Sequence, residues 1–179
     1  GATNAKAATF EYTFKTTRAE DSGEPNDDDN ASTLTATERS QATNLPLNYQ
    51  ATRTMFKVDD TLRDREDVYK VSLNGGSSIR FDFSTFNPRY GTWSYRLQLY
   101  NSSGTQVGST LNIYSNQTTG VLTYGVPLSG TYYVQVYGTP VTRIGTGVWY
   151  ALHSLKVSET GSASGWARSW GGGWADGSY

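Results

Sequence analysis

The chain has 179 residues, with 15 Lys and Arg against 16 Asp and Glu, a formal net charge of −1, and no cysteine. This excludes disulfides and thiol chemistry. It leaves no basic stripe for a phosphate backbone, so nucleic acid is not an expected partner, and no apolar run approaches membrane-spanning length. Hydrophobic residues make up 36% and aromatic residues 13%, with 13 Tyr among the latter. β-Branched and aromatic side chains amid Ser, Thr, Asn and Gly suit the pleated, half-buried surfaces of an all-β domain, and the length suits one domain with a single core.

In chain order, residues 9–18 alternate, with Phe10, Tyr12 and Phe14 on one face, and read as a strand. Residues 19–33 form an acidic, turn-rich stretch, and 34–50 read as a polar connection or an irregular short strand. Residues 55–58 read as a strand, 59–67 as a second acidic turn, and 68–73 as a strand closed by Asn74-Gly75-Gly76. Residues 78–83 alternate cleanly, with Ile79, Phe81 and Phe83 facing one way. An aromatic loop, 84–93, follows, in which Phe86 is expected to pack over the end of the domain. Strands are predicted at 95–100, 110–114, 120–124, 131–137 and 148–157, the last with a bulge near His153. Eight or nine short strands without a helix predict an antiparallel β-sandwich, jelly-roll-like, over residues 1–159. Residues 160–179 read as a Gly/Ser/Trp-rich tail or linker, since Gly171-Gly172-Gly173 opposes a helix there. Gly1 to Lys6 lack the apolar core of a signal peptide, so the chain is expected to be a domain excised from a longer protein.

Catalytic chemistry finds little support. His153 is the one histidine, lies in a strand without a triad pattern, and reads as partly exposed. One His and no Cys cannot build a His/Cys zinc site. Glycoside hydrolysis needs two carboxylates across a cleft; Glu66 and Asp82 are the pair that comes nearest. The expectation is a protein that is not an enzyme.

Four blocks carry a resemblance. They are Glu24-Pro25-Asn26-Asp27 with Ala31; Asp64-Arg65-Glu66-Asp67-Val68-Tyr69-Lys70-Val71; Leu97-Gln98-Leu99-Tyr100-Asn101-Ser102-Ser103-Gly104; and Gly130-Thr131-Tyr132-Tyr133-Val134-Gln135-Val136-Tyr137, with the closing strand near Tyr150. In order and spacing over about residues 24–157 they resemble the bacterial pre-peptidase C-terminal family, β-sandwich modules appended to secreted proteases and other exported hydrolases. The collagen-binding domains of clostridial collagenases are similar to them. The strand at 9–18, the long first connection and the aromatic loop depart from the family pattern.

The resemblance implies a calcium site built from Glu24, Asn26, Asp27, Asp64 and Asp67, with Asp28 able to replace Asp27. Calcium takes six to eight hard oxygen ligands. The stretch is not an EF-hand loop, because Ser32 stands where Gly is required. The plainer reading is that these turns are solvated loops.

The resemblance also implies that Tyr132, Val134 and Val136 point inward. Tyr133 and Tyr137 then stand outside with Gln135, and Tyr100 with Arg96 and Gln98 on the strand at 95–100. Together Tyr100, Tyr133 and Tyr137 are expected to form an exposed aromatic platform edged by Arg96, Gln98 and Gln135, suited to sugar rings. The plainer reading is outward tyrosines covering sheet surface. Tyr90 and Trp93, beside Arg89, form a second candidate. The expected function is polysaccharide binding for a covalently linked catalytic domain, by a monomeric module of a secreted bacterial hydrolase. The alternatives are collagen or other protein binding, or a structural or adhesin role.

Overall fold

Period-two alternation builds most of this molecule. The computed structural model describes residues 33–57, 63–86, 91–143 and 149–162. One sheet runs in the order β1 (Thr43–Asn44), β4 (Glu66–Leu73), β9 (Gly130–Arg143), β6 (Gly91–Tyr100), β7 (Gln106–Ile113). The other runs β3 (Arg63–Asp64), β2 (Gln50–Lys57), β10 (Trp149–Ser162), β5 (Ser77–Phe86), β8 (Thr119–Gly125). All pairings are antiparallel except that of β1 with β4. The fold is the expected all-β antiparallel sandwich.

The core lies between the sheets. Tyr69, Val71 and Leu73 of β4, Val134 and Val136 of β9, and Tyr95, Leu97 and Leu99 of β6 face Ile79, Phe81 and Phe83 of β5 and Ala151, Leu155 and Val157 of β10. Burying each large apolar side chain contributes roughly 1.5–3 kcal/mol. Trp93 is fully buried within this layer. Space for it comes from Gly138, where a Cβ would lie 2.6 Å from Met55 Sδ and 3.0 Å from Trp93 Cε3.

Four local expectations need correction. A helix, α1 (Ala36–Gln41), occupies part of the expected polar connection. Thr35 caps it, accepting from the Glu38 N–H, while the Glu38 side chain accepts from the Thr35 N–H; this capping box starts a helix that is too short to show periodicity. Asp64, Glu66 and Asp67 lie on strands rather than in a turn. Phe86 does not pack over the sandwich end; it is 71% exposed. The register of β10 shifts between Glu159 and Gly161 and not at His153.

Candidate functional site

The strand faces of the first sheet are as expected, but the platform is not exposed. Register places Tyr133 opposite Tyr100, Gln135 opposite Gln98 and Tyr137 opposite Arg96, all on the outer face. Yet Tyr100, Gln135, Gln98 and Tyr137 are buried, and only Tyr133 and Arg96 are half-buried. Tyr137 lies by the Arg65 and Arg96 guanidinium groups, each 5.3 Å from its ring; Tyr100 and Tyr133 are covered by the segment that carries α1. Leu34 and Ala42 pack with Val68 and Tyr100, and Tyr133 packs against that cluster. Leu34 is held by a hydrogen bond from its N–H to Gly104 O and by the Arg39 guanidinium on its carbonyl. Gly104 has φ +84, and a Cβ there would collide with both partners.

Beneath that cover the polar groups satisfy one another. Gln135 Nε2 donates to Glu66 Oε1 at 2.7 Å, and the Tyr100 hydroxyl donates to Gln135 Oε1 at 2.9 Å. Gln98 Nε2 donates to Gln106 Oε1 at 2.8 Å, and Gln106 Nε2 to Thr110 Oγ1 at 2.9 Å. Buried amides and hydroxyls are retained where they find such partners, so this row acts as structural support beneath the cover. The second candidate fares similarly. Trp93 is a core residue on β6 with its ring stacked 6.4 Å from that of Tyr95, out of reach of a ligand. Tyr90 lies outside the described residues.

His153 is likewise a core residue, 1% exposed rather than partly exposed. Its Nε2 lies 3.1 Å from the Tyr69 hydroxyl and 3.4 Å from Asp67 Oδ2, and its ring stacks on Phe83 at 5.8 Å. Burial, reinforced by the Arg53 guanidinium, pushes its pKa down to about 3, so it is neutral at ordinary pH. Burial likewise raises Tyr95 to about 12. The carboxylate pair considered for glycoside cleavage is also separated. Glu66 points from the outer face of the first sheet and Asp82 from the outer face of the second, so the sandwich lies between them.

Of the expected calcium ligands, Asp64 and Asp67 are described, and both are buried. Asp64 ends β3; Asp67 points into the core toward His153. Glu24, Asn26 and Asp27 lie outside the described residues, as does Asp28. Among the described residues no group of three or more His, Asp or Glu side chains could hold a metal ion.

Among the described residues, nothing covers the outer face of the second sheet. A hollow of about 500 Å³ is lined by Gln50, Arg80, Asp82, Ser84, Lys156 and Val121, among others. It shares Ser84 and Ser154 with a neighbouring hollow of about 310 Å³ that ends at Leu152 and the exposed Phe86. Thr52 Oγ1 and Ser154 Oγ bond across the strands at 2.8 Å, and Arg80 reaches Asp82 Oδ1 at 2.7 Å. The signal for this face was present in the sequence: Arg80, Asp82 and Ser84 alternate with the apolar Ile79, Phe81 and Phe83.

The chain matches no family model and no curated protein. Among solved structures it is similar to the pre-peptidase C-terminal domain of a collagenase from Bacillus anthracis, at 19% identity and a TM-score of 0.42, over 65% of this chain and 94% of that one. It is also similar to a CBM4 structure, at 14% identity and a TM-score of 0.37, over 57% of this chain and 64% of that one. A third is PliG of Aeromonas hydrophila, a periplasmic inhibitor of g-type lysozyme, at 15% identity and a TM-score of 0.34, over 66% of this chain and 97% of that one. Among the described residues no helix is long and apolar enough to cross a membrane.

Proposed function

We propose that this chain is a non-catalytic carbohydrate-binding module of a secreted bacterial hydrolase, and that its polysaccharide lies along the outer face of the second sheet. The observation that carries this reading is the open polar trough from Gln50 and Lys156 to Phe86. Its hydroxyls, amide and charged groups suit sugar hydroxyls, and the exposed ring of Phe86 at one end offers an apolar face to a pyranose. The non-catalytic part of the reading is supported by the burial of His153 and by the separation of Glu66 from Asp82.

Calcium belongs to the same proposal. Asp64 and Asp67 are hard oxygen donors of the kind the ion prefers, and the ion would clamp the Glu24, Asn26 and Asp27 segment to the start of β4. Binding of collagen or another fibrous protein on the same face is the second reading, favoured by the apolar Phe86 and Val121, 71% and 43% exposed.

A pull-down on insoluble polysaccharides and on fibrous collagen tests this. The expected result is retention on a polysaccharide, weakened roughly tenfold by Phe86→Ala through loss of the ring contact, with an unchanged melting temperature. Retention on collagen alone would establish the second reading, and retention on neither would sink both.

A further inference from the structure

On the opposite side of the sandwich, beyond the cover of α1, the first sheet carries a pocket of about 180 Å³. Ser94 and Arg96 of β6, Asn112 of β7, Thr139 of β9 and Tyr114 surround it. Arg96 is its one charged group. Its guanidinium sits 5.3 Å from the centroid of the Tyr137 ring, which fixes its plane. Nε and Nη2 are buried and have no hydrogen-bond partner. Among the described residues no carboxylate pairs with it. Buried guanidinium N–H groups are costly to leave unmade, and a planar fork held in one orientation matches a carboxylate better than any neutral group.

The rest of the lining says what carries that carboxylate. Asn112, Ser94 and Thr139 offer neutral donors and acceptors around the one cation, and Tyr114, 64% exposed, offers a ring face at the rim. One carboxylate, several hydroxyls and an apolar C–H face describe a sugar acid. At about 30 Å³ per water, the pocket holds about six waters, the room of a single sugar ring. We propose that this pocket binds one uronic acid residue of an acidic polysaccharide, with its carboxylate on Arg96 and its ring against Tyr114. The choice of a sugar rests on the carbohydrate reading above; the requirement for a carboxylate rests on Arg96 alone. The site is separate from the trough of the second sheet.

The test is calorimetric titration, at fixed calcium, with galacturonate and mannuronate trisaccharides, their methyl esters, and a neutral oligosaccharide. The expected result is binding of at least one acidic trisaccharide, at least tenfold weaker for its ester. Arg96→Gln is expected to weaken the acid at least tenfold, and Arg96→Lys, which keeps the charge without the fork, less. Tyr114→Ala, at an exposed position, is expected to weaken it without moving the melt, which keeps the test decisive should Arg96→Gln fold poorly. Equal affinity for acid and ester, unchanged binding by a folded Arg96→Gln, or no binding of either acid would overturn the proposal. If a neutral polysaccharide is still retained in that last case, the uronate site falls and the carbohydrate reading stands; if nothing is retained, both fall.

Discussion

His153 shows how one side chain sets a pH response. Its pKa is held at about 3 by burial, against an ordinary value of 6.5. The unfolded chain therefore takes up a proton as pH falls through about 6.5, while the folded chain stays neutral until about 3. A base with a depressed folded pKa thus loses stability as pH falls, by up to about 1.4 kcal/mol per pH unit. Urea unfolding between pH 7.5 and 5, above the range in which ordinary carboxylates titrate, should show that decline in the wild type. His153→Leu should flatten it, at some cost for the lost Tyr69 contact; equal slopes in the two proteins would refute the assignment. The position of His153 was legible, because it shares its parity with Ala151, Leu155 and Val157, which all face inward. What hid it was its polarity, since strand histidines more often reach water. Trp93 was hidden differently: the register shift between Thr92 and Trp93 blurred the start of β6, so a strand core residue read as loop.

At the scale of elements, alternation assigned most strands and faces among the described residues correctly, the strand expected at 9–18 lying outside them, and cover decided exposure. Tyr100, Tyr133, Tyr137, Gln98 and Gln135 point outward as the pattern requires, and four of the five are buried. The six residues of α1 are too few and too polar for a helical period to emerge, although Thr35 and Glu38 spell its capping box. Cover by Leu34 depends on contacts some 66 residues distant, at Tyr100, which no local pattern records. The start of β4 is the other element with a consequence. If calcium joins Asp64 and Asp67 to the acidic segment, chelation removes a ligand bound only by the folded state. With the site filled at 100 times its Kd, the loss is about 2.7 kcal/mol, roughly 5–10 °C in melting temperature for a domain of this size. Differential scanning calorimetry with calcium and then with chelator should show that drop; superimposed melts would contradict the calcium proposal.

For the whole molecule, the two sheets have unlike outer faces. Among the described residues, the first is closed at one end by α1 and opens at the Arg96 pocket, and the second is uncovered. Composition and strand spacing were enough for the sandwich, because burying one side of every strand forces the period-two pattern. They were not enough for the binding face, because a sheet exposed on one side and a sheet covered by a short segment carry the same alternation. What matters most is that the outer face of the second sheet, and not the tyrosine row beneath α1 on the first, takes neutral polysaccharide, the Arg96 pocket being a separate site for a single uronate. The measurement that tests it most directly is a ¹H–¹⁵N NMR titration of the domain with a soluble neutral fragment of the retained polymer. Shifts are expected to concentrate at Gln50, Thr52, Arg80, Ser84, Phe86 and Lys156, with Tyr100, Tyr133 and Gln135 unmoved. Shifts centred on Tyr100, Tyr133 and Gln135 would contradict it, and would mean that α1 leaves the first sheet to expose the tyrosines.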